Sequence, residues 1–326
     1  MKLFINTALM ILVFGSYSTL SAEDINSKIG NIPLGNVAGS TGNVFPKGKS
    51  RFIIKHMLLS KDGAYNGNDE VVDSKKRKMD LDVTHFLYRY GLGNGFDVRI
   101  ASTYVQKKLN QTIPMGPMAG KNFNLKNSGM GDSRVIFRYE LLNQKKGSPL
   151  FLALGAGVKL PTGSTNKSFS TPMGIKRANQ TQTMQLGSGS FDYIAEIGAT
   201  KLLPNSRIDA HMMYLFTTEG SNNYEFGDKF KWNIGYSYAI NKYFDVQLEL
   251  DGMHMAKDKS NGNSVDYSGG DFIYITPGIH IIPSKKYDIS LGYSHMIHRD
   301  NNYDNSTNTA GLSEDHRLIL RVGYNF

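Results

Sequence analysis

The chain has 326 residues, no cysteine and a formal net charge of +9. Without cysteine there are no disulfides, no thiol catalysis, no Cys-type zinc site and no lipid attached at an N-terminal cysteine. A mean hydropathy of −0.34 excludes a bundle of transmembrane helices, and the positive charge is spread along the chain rather than gathered into one patch.

Residues 1–22 read as an export signal. Lys2 supplies the positive start, "LFINTALMILVFGSY" the apolar stretch, and "STLSA" the small residues ahead of the acidic "EDIN". Leu20 is large for its place, so cleavage after Ser21 and after Ala22 both fit. The stretch is short for a hydrocarbon core of about 30 Å, which disfavours a retained anchor. Export leaves nucleic acid out as a partner. Residues 23–48, "EDINSKIGNIPLGNVAGSTGNVFPKG", carry no strand pattern. Two readings stand for them, a flexible lead-in or a plug inside a lumen.

From residue 49 to 326 apolar residues recur at every second position, in twelve segments. These are 50–60, 79–90, 96–107, 131–142, 149–160, 190–202, 206–217, 229–240, 243–255, 271–282, 286–298 and 315–326. Helical stripes are absent, and the period of two marks strands. Connections alternate in length. "GLGNG", "NQKKGS", "PNS", "NK" and "PSKK" are short; 61–78, 108–128, 161–189, 218–228, 256–270 and 299–314 are long and polar. That alternation predicts an all-β fold, an up-and-down antiparallel transmembrane barrel of about 12 strands with short periplasmic turns and long external loops. Lipid cannot satisfy an open strand edge, so the last segment must pair with the first. The predicted location is the outer membrane of a Gram-negative cell, with membrane lipid as the surrounding partner.

Side-chain parity assigns the two faces. In the last segment Leu318, Leu320, Val322, Tyr324 and Phe326 point to lipid, and Arg317 and Arg321 to the lumen. The same reading puts Phe230, Trp232, Ile234, Tyr236 and Tyr238 outside, and Lys229 and Lys231 inside. A lysine or arginine at mid-membrane on the lipid face would cost about 2–4 kcal/mol, which fixes this parity. In segment 79–90 the choice stays open, because Phe86, Tyr88 and Tyr90 compete with Leu81, Val83 and Leu87. By depth, Arg134, Arg138, Glu196, His211, Glu249 and Arg321 are the candidates for a constriction.

Three constellations bear on chemistry. "DLD" (Asp80, Asp82) and "DAH" (Asp209, His211) resemble the acidic and Asp-His pairs of omptin proteases, but topology puts them at opposite ends of the band, on the order of 20 Å apart. General acid–base work needs hydrogen-bond reach. No histidine has a serine two positions later, the local signature of the barrel lipid hydrolases. "GMHMAKD" and "YSHMIHRD" offer soft metal ligands, yet alternation turns His254 and His295 outward and His298 inward. The expectation is therefore no enzyme, no cofactor and no metal. The basic run "DSKKRKMD" is read as a solvated loop, with contact to anionic head groups as the lesser option.

"NSGMGDSRVIFRYELL" (127–142), "LFLALGAGVKLPTGSTN" (150–166) and "LGSGSFDYIAEIGATKLL" (186–203) resemble the outer-membrane family named for the meta-pathway of phenol degradation. The matching positions are Gly129, Gly131 and Asp132; Gly157, Lys159, Pro161, Thr162 and Gly163; and Gly187, Gly189 and Asp192. Pro161 stands where no ladder hydrogen bond is needed, and Gly163 lets the chain turn. The resemblance implies a channel-type barrel passing small, often hydrophobic or aromatic, molecules. The alternative is a structural or surface-binding barrel that works through its external loops. A C-terminal strand ending in Tyr324 and Phe326 also resembles the signal that such barrels present to the barrel-assembly machinery. Loop 161–189, the longest, is a candidate to fold inward over the pore.

Overall fold

The computed structural model describes residues 36–37, 39–113, 116–170, 176–177 and 180–326. The signal segment 1–22 and the start of the lead-in lie outside the described residues. Twelve antiparallel strands form the wall: β1 (Ser50–Asn66), β2 (Lys78–Gly93), β3 (Phe96–Thr112), β4 in two pieces (Asn122–Met130 and Ser133–Leu142), β5 (Phe151–Leu160), β6 (Asp192–Leu202), β7 (Ser206–Phe216), β8 (Lys229–Asn241), β9 (Phe244–Met255), β10 (Gly270–Ile281), β11 (Tyr287–Asn301) and β12 (Thr309–Asn325). Each pairs with its chain neighbour, and β12 closes the ring on β1 from Arg51↔Asn325 to Tyr65↔Gly311. No strand of the ring is left with a lipid-exposed open edge, as a bilayer requires.

The exposed apolar residues form one outer belt. Tyr88, Phe96, Tyr139, Tyr236, Tyr238, Tyr243, Tyr287 and Phe326 ring the short-turn end, where amphipathic rings sit at head-group level. Tyr324 packs between Tyr287 and Phe326, with ring centroids 4.9 and 4.6 Å away. The amide of Phe326 donates to the Ser50 carbonyl at 2.9 Å, so the terminal residue helps seal the seam. The last strand has the predicted faces: Leu318, Leu320 and Val322 are exposed, while Ile319 and Arg321 are buried.

Strand β2 resolves its own ambiguity. Phe86 lies opposite Ile54 and Tyr88 opposite Ile100, both lipid-facing, while Arg89 is buried inside. The aromatics therefore go outward, and Leu81, Val83 and Leu87 line the inside. The β2–β3 turn is Asn94-Gly95, with φ of 51° and 79°. Both residues lie in the left-handed region that tight hairpins require.

Two expectations are corrected. Residues 108–128 are not a loop throughout: β3 runs on to Thr112 and pairs with Asn122–Met130. Only a few apolar residues, Leu109 and Leu125 among them, mark the buried face of this hairpin, where it packs on Met184, so the sequence carries no long alternation there. His298 is exposed, not inward. A bulge places Met296 opposite Tyr274 but His298 opposite Ile273. The extra residue reverses parity, so Arg299 becomes the buried one.

Candidate functional site

The site is the lumen, and its short-turn half is dense with paired charge. Arg89 holds Asp97 at 2.7 Å. Arg99, Arg138 and His211 all converge on Glu196, Arg138 at 3.3 Å and His211 at 3.4 Å. Arg207 pairs with Asp209 at 2.6 Å, and Asp288 is shared by Arg51 and Arg321. Arg138, Asp97, Glu249 and Asp209 are 2% exposed or less. Burying so many ions is tolerable only because each meets an opposite charge or a hydrogen-bond donor.

The described residues of the N-terminal segment, 36–37 and 39–46, meet the inner-wall side chains of this half of the lumen. Val37 and Gly39 donate their amides to Glu249 at 2.6 and 3.3 Å. Asn36 donates to Asn233 at 2.7 Å, and its carbonyl accepts from Arg321 at 2.7 Å. Arg99 holds Ser40 at 3.0 Å, Arg138 caps the Thr41 carbonyl, and Arg89 caps that of Asn43. Gly42 donates to Thr200 and Phe45 to Asp97, each at 2.9 Å. The wall is cut away along this path. A Cβ on Gly235 would lie 2.3 Å from Asn36, on Gly198 2.6 Å from the Thr41 carbonyl, and on Gly91 2.0 Å from that of Pro46. Among the described residues from 36 to 46 none joins a strand ladder.

The other end is covered by the loop after β5. Met184, fully buried, packs against Leu109 and Leu125, with Met79, Phe123, Phe169 and Leu312 around them. Lys107 donates to the carbonyls of Thr183 and Gln185 at 2.7 and 2.6 Å. Both ends of this loop are tied at one point. Asp132 accepts from the Gly163 amide at 3.0 Å and from the Ser188 amide and hydroxyl at 2.9 and 2.7 Å. Lys159 reaches Asp192 at 2.5 Å and Asp132 at 3.4 Å. Thr162 accepts from the Ser133 amide at 2.9 Å and donates to the Gly131 carbonyl at 3.1 Å. Gly163 and Gly187 lie back to back; a Cβ on Gly187 would sit 2.4 Å from the Gly163 carbonyl oxygen. Gly129 and Gly189 have φ of 145° and 76°, and a Cβ on Gly129 would press on Leu186.

These tied residues are the ones that carry the sequence resemblance. A family model described as "Putative MetA-pathway of phenol degradation" matches residues 61–308. The chain belongs to that family. The fold of this family member is similar to the crystal structure of an outer-membrane channel from Pseudomonas putida F1, with 14% identity and a TM-score of 0.62, covering 87% of this chain and 97% of that one. The CymD monoaromatic hydrocarbon channel aligns at 9% identity and a TM-score of 0.46, over 95% of this chain and 98% of that one. No curated protein matches the chain.

In this member of the family the six constriction candidates all lie on the inner wall but do not form one ring. Arg138, Glu196 and His211 belong to one ionic cluster; Glu249 and Arg321 grip the N-terminal segment. Arg134 stands apart with no ion pair among the described residues. Sequence reasoning did not single out Arg89, whose parity stayed open, nor Arg51, and it placed Asp288 only as a lumen residue, because nothing in the chain shows which cations share an acid. It also could not single out the glycines of the groove. The protease-like pairs are separated as expected: Asp80 and Asp82 lie on the outer parity of β2 beside a surface cleft of about 930 Å³ at the long-loop end, whereas Asp209 is sealed inside. Among the described residues no three His, Asp or Glu side chains gather as a metal site would require.

Proposed function

We propose that this barrel is a passive outer-membrane channel for small molecules, and that residues 36–46 act as a displaceable plug at its periplasmic end. One observation carries the reading. The segment crosses the lumen on side-chain hydrogen bonds and a glycine-lined groove, with no strand pairing to lock it in. A structural barrel needs no separately held filler, since charged side chains alone close small barrels. Membership of the family and the channel-like fold of the Pseudomonas putida neighbour agree with it. An apolar or aromatic solute suits the family resemblance and the inner-facing Met57, Leu81 and Val83. On this reading Arg99, Arg138, Glu196 and His211 form the constriction together with the segment.

The test is single-channel conductance in planar bilayers of the wild type, of a chain lacking residues 36–46, and of Gly198→Val, which fills the groove. Both variants should conduct at least severalfold more than wild type while keeping heat-modifiable migration on gels. Folded variants with no gain in conductance would overturn the plug. A closed barrel in every form would overturn the channel and favour action through the external loops.

A further inference from the structure

The inner wall above the plug carries cations that no acid neutralises. Arg134 at the top of the lower β4 piece, and Lys229 and Lys231 on β8, have no ion pair or hydrogen bond among the described residues. They retain water-accessible surface inside the barrel. Lys231 stands in register between Met213 and Met253, and the charges that face it are Arg134, Lys229, Arg317 and Lys55. His85 sits among Lys55, Arg134 and Lys231, held at 2.9 Å by Thr103. The nearby acids are engaged elsewhere. Asp132 and Asp192 face Arg134 but are bound to Lys159. Asp258 faces Lys229 but accepts from Tyr224 and from the Gly227 amide. Asp251 faces Lys55 and Arg317 while accepting from Asn233 and Thr276.

Between Lys55 and His85 on one side and Lys61 on the other, the inner parity of β1 and β2 is apolar. Met57 pairs with Val83 and Leu59 with Leu81 on the inner parity of β1 and β2, all half-buried. Like charges crowded in a region of low dielectric repel each other strongly unless a counter-anion enters. A guanidinium and an ammonium directed into one chamber match a carboxylate, and the Met57–Val83 wall matches an apolar body.

We infer that the outer half of the lumen is a binding chamber for a small organic anion, its carboxylate held by Arg134 and Lys231 and its apolar body against Met57 and Val83. This rests on the channel reading and narrows its solute to amphiphilic anions.

The probes are benzoate and its neutral analogue benzamide, titrated calorimetrically into the detergent-folded full chain. Wild type should bind benzoate at least tenfold more tightly than benzamide. The double variant Arg134→Met/Lys231→Met should lose that preference, whereas Lys108→Met, on the outer parity of β3, should keep it. Gel migration and strand circular dichroism check that each variant is folded. Equal affinity for the two probes, or a preference that survives the double variant, would overturn the inference. Binding does not require passage, so the two readings fail separately. A benzoate preference without conductance removes the channel, and conductance without the preference removes the anion chamber.

Discussion

The two halves of the lumen treat charge in opposite ways. Near the short turns the buried arginines have acid partners: Arg89 with Asp97, Arg207 with Asp209, three bases on Glu196, two on Asp288. Towards the long loops Arg134, Lys229 and Lys231 face one another with no ion pair among the described residues. The first half is built like a protein interior, in which ions are neutralised and the N-terminal segment supplies the missing backbone donors and acceptors. The second half is left polarised, which makes sense for a space that something else enters. On the anion-chamber reading the same residue types serve closure in one place and reception in the other, and pairing rather than composition separates them.

Substitution breaks the comparison most sharply at Glu196. Glu196→Gln leaves Arg99, Arg138 and His211 buried without their shared counter-charge. Loss of one partner of a buried pair costs about 3–5 kcal/mol, and a fall of that size is expected in urea unfolding of the folded barrel in lipid. Next comes the outer surface, where Leu320→Lys puts an ammonium against lipid. The expected cost is about 2–4 kcal/mol by the same assay if Leu320 lies at mid-membrane, and less nearer the interface. Asp288→Asn strands Arg51 and Arg321 together and should cost about 3 kcal/mol. An effect below about 1 kcal/mol would show that the plug carbonyl alone satisfies Arg321. Asp132→Ala should act locally: it unties both ends of the loop after β5, and trypsin cleavage at Lys167 should speed up at least tenfold with little change in global unfolding. The smallest effect belongs to the other half. Lys231→Met removes a charge that has only like-charged neighbours, so stability should stay within about 0.5 kcal/mol or rise. A loss approaching that of Glu196→Gln would erase the distinction between the halves.

Much of the wall was legible in the chain. Period-two alternation and the short-long rhythm of the connections dictate twelve strands, their order and the β12–β1 closure, because lipid outside and charge inside allow one parity for each strand. The arginines of "RLILRVGYNF" are the clearest case. Legibility failed where that constraint lapses. In the hairpin of β3 and Asn122–Met130 the buried face is marked only by a few residues such as Leu109 and Leu125, which pack on Met184 of a distant loop, so no long alternation announces it. A single inserted residue at Ile297 sends His298 outward. Phe86, Tyr88 and Tyr90 were ambiguous because both parities of β2 are apolar. The site was less legible than the wall. Inward residues could be named, but not which of them share an acid, since Glu196 meets Arg99 and Arg138 from other strands.

By itself, then, the sequence determined an exported twelve-strand barrel with a charged interior and a motif of small residues around Asp132 and Lys159. Periodicity is a local property, and a membrane converts it directly into a face. Tertiary structure alone decided that Asn36, Val37 and residues 39–46 bond to the inner wall, that Gly91, Gly198 and Gly235 make room for them, and that Asp132 ties down a distant loop. It alone decided which cations are neutralised. Those outcomes depend on which residues meet across the barrel, and that distance is set by closure of the ring.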